Sequence, residues 1–71
     1  MKPSILSSPA HTTLLEIKPI AAGGWESILS SVDEGLASFV DRNAMSDGEA
    51  ANLRAKLIHR GWTEVYRGVT L

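Results

Sequence analysis

The sequence predicts an α+β domain of β-α-α-β order, with two amphipathic helices packed on one face of a small antiparallel sheet that dimerisation can extend. Three observations lead there. Apolar residues at Trp25, Ile28, Leu29, Val32, Leu36, Phe39 and Val40 fall, at roughly 100° per residue, on one arc of about 120°. Ser46-Asp47-Gly48-Glu49 is a capping box that opens a second helix, with Met45 and Ala50 placed as a hydrophobic staple. Thr12–Ile17 and Trp62–Leu71 are rich in β-formers and bracket the two helices.

The single domain spans residues 1–71. Residues 1–11, with two prolines and three serines, read as an irregular or mobile start. In the first strand Thr13, Leu15 and Ile17 point one way, Leu14 and Glu16 the other. Pro19 removes a ladder donor, so that strand ends near there or lies at an edge. Ala21-Ala22-Gly23-Gly24 connects it to the first helix, where Glu26 sits in the first turn and suits the helix dipole. That helix stops near Arg42-Asn43, because asparagine tolerates the left-handed conformation of a helix end. The second helix runs to Arg60 and is terminated by Gly61. On the last strand Val65, Val69 and Leu71 share one face, and Trp62, Glu64 and Tyr66 share the other. The first and last strands pair antiparallel, and one sheet edge stays exposed.

A chain of 71 residues buries only about 60% of the surface its unfolded form exposes, so reinforcement is needed. There is no cysteine, which removes disulfides and thiolate metal sites and suits a reducing compartment. His11 and His59 are the two histidines, too few for a histidine-based structural zinc. Oligomerisation or docking on a partner remains. Formal net charge is −1, against a strongly basic nucleic-acid binder. The charge is segregated: +1 over residues 1–24, −5 over 25–49 and +3 over 50–71. An acidic first helix beside a basic second one implies attraction within the monomer or between copies. Ile5-Leu6 is too short for a signal-peptide core and nothing reaches membrane-span length, so the expected compartment is the cytoplasm.

No grouping of residues points to catalysis, to a cofactor or to a small-molecule substrate. Asp33-Glu34 and Asp47-x-Glu49 are carboxylate groupings, but adjacent residues on a helix diverge by about 100° and read as a solvated face. His59 has no serine or cysteine at local spacing to activate, and His11 lies in the loose start. Gly23-Gly24 lacks the further glycines and the lysine of a phosphate-cradling loop. An enzyme is not expected.

Surface signals are stronger. Ser27, Ser31, Gly35 and Ser38 form a small-residue strip beside the first apolar arc, and Ala51 and Ala55 a shorter one on the second helix. Small residues let helix axes approach closely. Arg54 sits in the middle of the second helix's apolar arc. A guanidinium there snorkels, pairs with a carboxylate such as Asp33 or Asp41, or belongs to an interface. Trp25 falls on the core arc. Trp62 and Tyr66, on the strand face away from the valines, form with Glu64, Arg60, Arg67 and Arg54 the expected partner-binding patch, since large aromatics dominate interface energies.

The expected function is therefore a non-enzymatic protein-binding module, an inhibitor, adaptor or regulator. Its partner is another protein or a second copy. Chains of this size without catalytic groups are frequent among phage and mobile-element accessory proteins, a prior that rests on size alone. The alternative comes from a resemblance. A strand followed by two helices, the second opening Met45-Ser46-Asp47-Gly48-Glu49-Ala50 and continuing to Leu53-Arg54, resembles the ribbon-helix-helix repressors and antitoxins. That resemblance implies a strand paired across a dimer and reading the major groove. The sequence departs from the pattern in the Gly23-Gly24 connection, the acidic first helix and the further strand. Its basic footprint is limited to Lys56, Arg60 and Arg67.

Overall fold

Residues 25–45 fold as a strand hairpin, where their apolar spacing predicts a helix, and this difference reorganises the whole domain. The computed structural model describes residues 2–65. Tyr66, Arg67, Val69 and Leu71 lie outside the described residues. The elements in chain order are β1 (Ser4–Ser7), β2 (Thr13–Pro19), β3 (Trp25–Asp33), β4 (Leu36–Met45), α1 (Asp47–His59) and β5 (Thr63–Val65). The strands form one five-stranded sheet in the order β4-β3-β2-β1-β5, antiparallel at every pairing. The predicted pair of helices on a thin sheet is thus replaced by one helix on a wider sheet. The loose start contains a strand, β1, and the last strand pairs with it and not with β2.

The physical reason lies in the turn between β3 and β4. Asp33 pairs with Leu36, leaving Glu34-Gly35 as a two-residue loop. Both loop residues have positive φ, 53° and 81°, the signature of a type I′ turn whose twist matches the strands it joins. Gly35 takes such a conformation at no steric cost, whereas inside a helix it costs about 1 kcal/mol relative to alanine. A β-bulge follows, where the register shifts between Leu29 and Ser30 and Val40 is left unpaired. The expected small-residue strip is dispersed: Ser27 is buried in the sheet, Gly35 turns the hairpin, and Ser31 faces Ser38 across strands. Ala51 and Ala55 are exposed on α1. The acidic stretch 25–49 lies on the hairpin and the first turn of α1, so no acidic helix meets a basic one.

The alternation of the first predicted strand and the capping box fold as the sequence predicts. In β2 Leu15 and Ile17 are buried, while Leu14 and Glu16 on the alternate face are half-buried. At the start of α1 the capping box is complete: Ser46 Oγ accepts from the Glu49 amide at 3.2 Å, and Glu49 Oε1 accepts from the Ser46 amide at 2.9 Å. Met45 and Ala50 both pack into the core. The far end closes as a Schellman motif, with the Trp62 amide donating to the Leu57 carbonyl at 3.0 Å and the Gly61 amide to that of Ile58 at 3.1 Å. Gly61 holds φ at +96°, and Leu57 and Trp62 each pack against the core.

The chain leaves one sheet edge at Met45 and re-enters at the opposite edge at Thr63, so α1 crosses the sheet. One face is thereby covered. Its core is Leu6, Leu15, Ile17, Trp25 and Ala50, with Leu29, Met45, Leu53, Leu57 and Trp62 packed against it. Leu6 and Ile17 are fully buried. Trp25 is core as its sequence position suggests, though from a strand, and its indole N–H donates to the Asp47 carboxylate at the start of α1. The ribbon-helix-helix order of strand, helix, helix is not present. The segment Met45–Arg54 opens the one helix among the described residues, and that helix packs on its own chain's sheet.

Candidate interaction surfaces

The predicted partner-binding residues divide between a structural role and the surface. Arg54 projects from α1 onto the covered face. Its Nε donates to Ser4 Oγ at 3.1 Å and its Nη2 to Glu64 Oε1 at 2.7 Å, tying the helix to β1 and β5. The carboxylate that pairs with it is therefore Glu64, and neither Asp33 nor Asp41. Cross-strand register explains this, since Glu64 sits opposite Leu6 and so faces the helix. Val65, opposite Ile5, points to the uncovered face. This reverses the predicted sides of the last strand. Trp62 is half-buried against Leu57 and the core. Arg60 is the exposed C-cap of α1. Tyr66 and Arg67, the other two residues of the expected patch, lie outside the described residues.

Three other surfaces stand out. The first is β4, an edge strand of 10 residues. Every residue from Leu36 to Ala44 is exposed, and Leu36, Phe39 and Val40 are 73%, 64% and 53% exposed. Its outer side has no strand neighbour among the described residues. In a two-residue hairpin the flanking pair is hydrogen-bonded and the pattern alternates from there. Leu36 and Ser38 thus direct their N–H groups to β3, and Ala37 and Phe39 direct theirs outward. Edge strands are ordinarily blunted by lysine, proline or shortness; β4 has a bulge, Asp41 and Arg42.

The second surface is the face of the sheet left uncovered by the described residues. Its centre is an apolar trough of about 330 Å³ whose walls include Ile5, Leu14, Ile28, Ala37 and Val65, with Glu16 and Ser30 as polar members. Beside the trough the face turns charged. Glu26 is 3.9 Å from Lys18 Nζ and 3.4 Å from Arg42 Nε, and the Arg42 guanidinium lies 6.0 Å from the Phe39 ring centroid, within cation–π range.

The third is a groove of about 420 Å³ on the covered side, between α1 and the outer strands. Leu29, Met45, Leu53, Leu57 and Trp62 form its apolar lining and Asp41 and Asn43 its polar rim. Asp41 is occupied locally, accepting from the Arg42 amide at 2.8 Å and Asn43 Nδ2 at 3.2 Å.

Sequence reasoning missed these surfaces because all three depend on the β3–β4 hairpin. The available signal was Gly35 inside a supposed helix. His11, expected to be loose, has a φ of 59° in the β1–β2 turn, where its Nδ1 is 3.0 Å from Ser7 Oγ. Ser7 is buried, so this serine–histidine pair closes a turn and presents no hydroxyl to a substrate. Among the described residues no group of three or more His, Asp or Glu is placed to hold a metal ion, and no helix is long and apolar enough to cross a membrane.

No protein-family model, curated protein or solved structure matches this chain.

Proposed function

We propose that this chain is a non-enzymatic protein-binding module that takes up a strand of a partner protein along the outer edge of β4. The observation that carries the reading is β4 itself: ten residues long, with no strand on its outer side among the described residues, and exposed from Leu36 to Ala44. Main-chain bonding to such an edge supplies affinity, and alternate side chains of the added strand supply specificity. One set of those side chains falls beside the groove between Trp62 and Asp41, the other beside Phe39 and Arg42. The role is that of an inhibitor, adaptor or regulator, which acts by occupying a surface.

The test is affinity purification of the tagged chain from its native host, in parallel with Ala37→Pro. Proline is tolerated on an edge strand where the lost N–H faces outward, so this variant keeps the β3–β4 ladder and loses an outward donor. The expected result is a protein retained by the natural chain and lost by Ala37→Pro at unchanged circular dichroism. Hydrogen exchange should then show the Ala37 and Phe39 amides protected in the complex. A partner held equally by Ala37→Pro, or co-purified nucleic acid released by moderate salt, sinks the reading.

A further inference from the structure

We infer that two copies of this chain pack uncovered face to uncovered face about a two-fold axis, the Phe39 ring of each seated in the apolar trough of the other. A closed two-fold contact is self-complementary: whatever knob it uses must find its hole on the same surface of the same chain. The uncovered face carries both. Phe39 sits opposite Ser30 across the β3–β4 ladder, and Ser30 is a wall of the trough. Yet Phe39 is 64% exposed and is no part of that trough's walls; its ring lies instead against the Arg42 guanidinium. The trough, at about 330 Å³ with Ile5, Leu14, Ile28, Ala37 and Val65 around it, has ample room for a phenyl ring.

Charge favours the same arrangement. The acidic group within the trough is Glu16, and the cation beside Phe39 is Arg42. Seating Phe39 in the opposite trough carries Arg42, which keeps Glu26 of its own chain at 3.4 Å, toward the acidic side of the second copy's trough, and the two-fold axis repeats that approach. An unrelated partner would need only half of this set. Two antiparallel sheets pack face to face about 10 Å apart, with strands crossing at roughly −30°, so the contact is an ordinary sandwich between copies. This inference does not rest on strand uptake at β4, because the outer edges of β4 remain open in the pair.

Sedimentation velocity on the full chain, from low to high micromolar concentration, tests it. The expected species has twice the 7.6 kDa chain mass. Phe39→Ser should raise the dimer dissociation constant by about thirtyfold or more, as removal of a central aromatic anchor does. Phe39 is exposed in the monomer, so the variant's circular dichroism should be unchanged. Because the chain has no cysteine, a mixture of Phe39→Cys and Leu14→Cys chains should form a mixed disulfide dimer in excess over either variant alone. A single-chain mass at every concentration overturns the inference, including the case in which residues 66–71 give nuclear Overhauser contacts to Leu14 and Ile28. So does a dimer indifferent to Phe39→Ser, as pairing between β4 edges would be.

Discussion

The two faces of the sheet are built by the same strands, yet only one is a core. Along β2, Leu15 and Ile17 are 7% and 0% exposed under α1, while Leu14 and Glu16, which alternate with them, look onto the uncovered face and stay half-buried. Complete burial of an aliphatic side chain is worth about 1.5–3 kcal/mol, so the covered face supplies most of the stability. The uncovered face holds comparable apolar side chains, Ile5, Leu14, Ile28 and Val65, whose burial is not yet complete. Stability and interaction are thus assigned to opposite sides of one sheet, residue by alternate residue. Both surfaces offered above for binding, the β4 edge and the trough, follow from the helix covering a single face.

The strongest way to break this comparison is to shorten one isoleucine on each face. Ile17→Ala, at a fully buried position, should cost about 2–5 kcal/mol, a large part of the stability of so small a domain. Ile28→Ala, made in the Phe39→Ser background so that association does not contribute, should cost less than about 1 kcal/mol. Urea denaturation followed by tryptophan fluorescence measures both. Equal losses would mean that the uncovered face is a second core, and the division of labour would collapse.

The ion pairs sharpen the same contrast at smaller magnitude. Arg54 and Glu64 are joined at 2.7 Å with side chains 34% and 25% exposed, and Arg54 also holds Ser4. A double-mutant cycle on Arg54→Ala and Glu64→Ala should return a coupling of about 1 kcal/mol. Arg42 and Glu26, on the uncovered face at 3.4 Å with Arg42 59% exposed, should couple by about 0.5 kcal/mol or less. Molar salt should erase the second coupling and leave most of the first. If both respond alike to salt, the covered face is wetter than its packing implies.

Legibility in the sequence follows how local each determinant is. The capping box at Ser46 and Glu49, the stop at Gly61 and the alternation in β2 are written within a few residues, and the folded chain agrees with each. The hairpin over Trp25–Met45 was hidden because both its faces carry apolar groups. Trp25 and Leu29 face the helix while Ile28 and Val32 face the other way, and together they imitate a period of 3.6. The two-residue loop Glu34-Gly35 lacks the Asn-Gly or Asp-Gly pair that usually announces such a turn. β1 is four residues between Pro3 and Pro9, and nothing local specifies it; its register comes from pairing with β2 and β5. For the candidate site, the oddity of Arg54 was legible and its partner was not. Choosing Glu64 over Asp33 or Asp41 requires knowing which way the last strand faces.

That weak turn signal gives the smallest effect and the most direct check on the corrected hairpin. Glu34 holds a φ of 53°, a conformation asparagine adopts more readily than glutamate. Asn-Gly is the preferred pair for a type I′ turn, so Glu34→Asn should stabilise the domain by about 0.5 kcal/mol. The substitution touches neither face of the sheet. Its gain should therefore appear undiminished beside Phe39→Ser and beside Arg54→Ala, since sites without shared partners add. A helix over residues 25–40 predicts the opposite sign, because asparagine is a poorer helix former than glutamate. A measured loss on Glu34→Asn would return the chain to two helices and remove the open edge and the trough together.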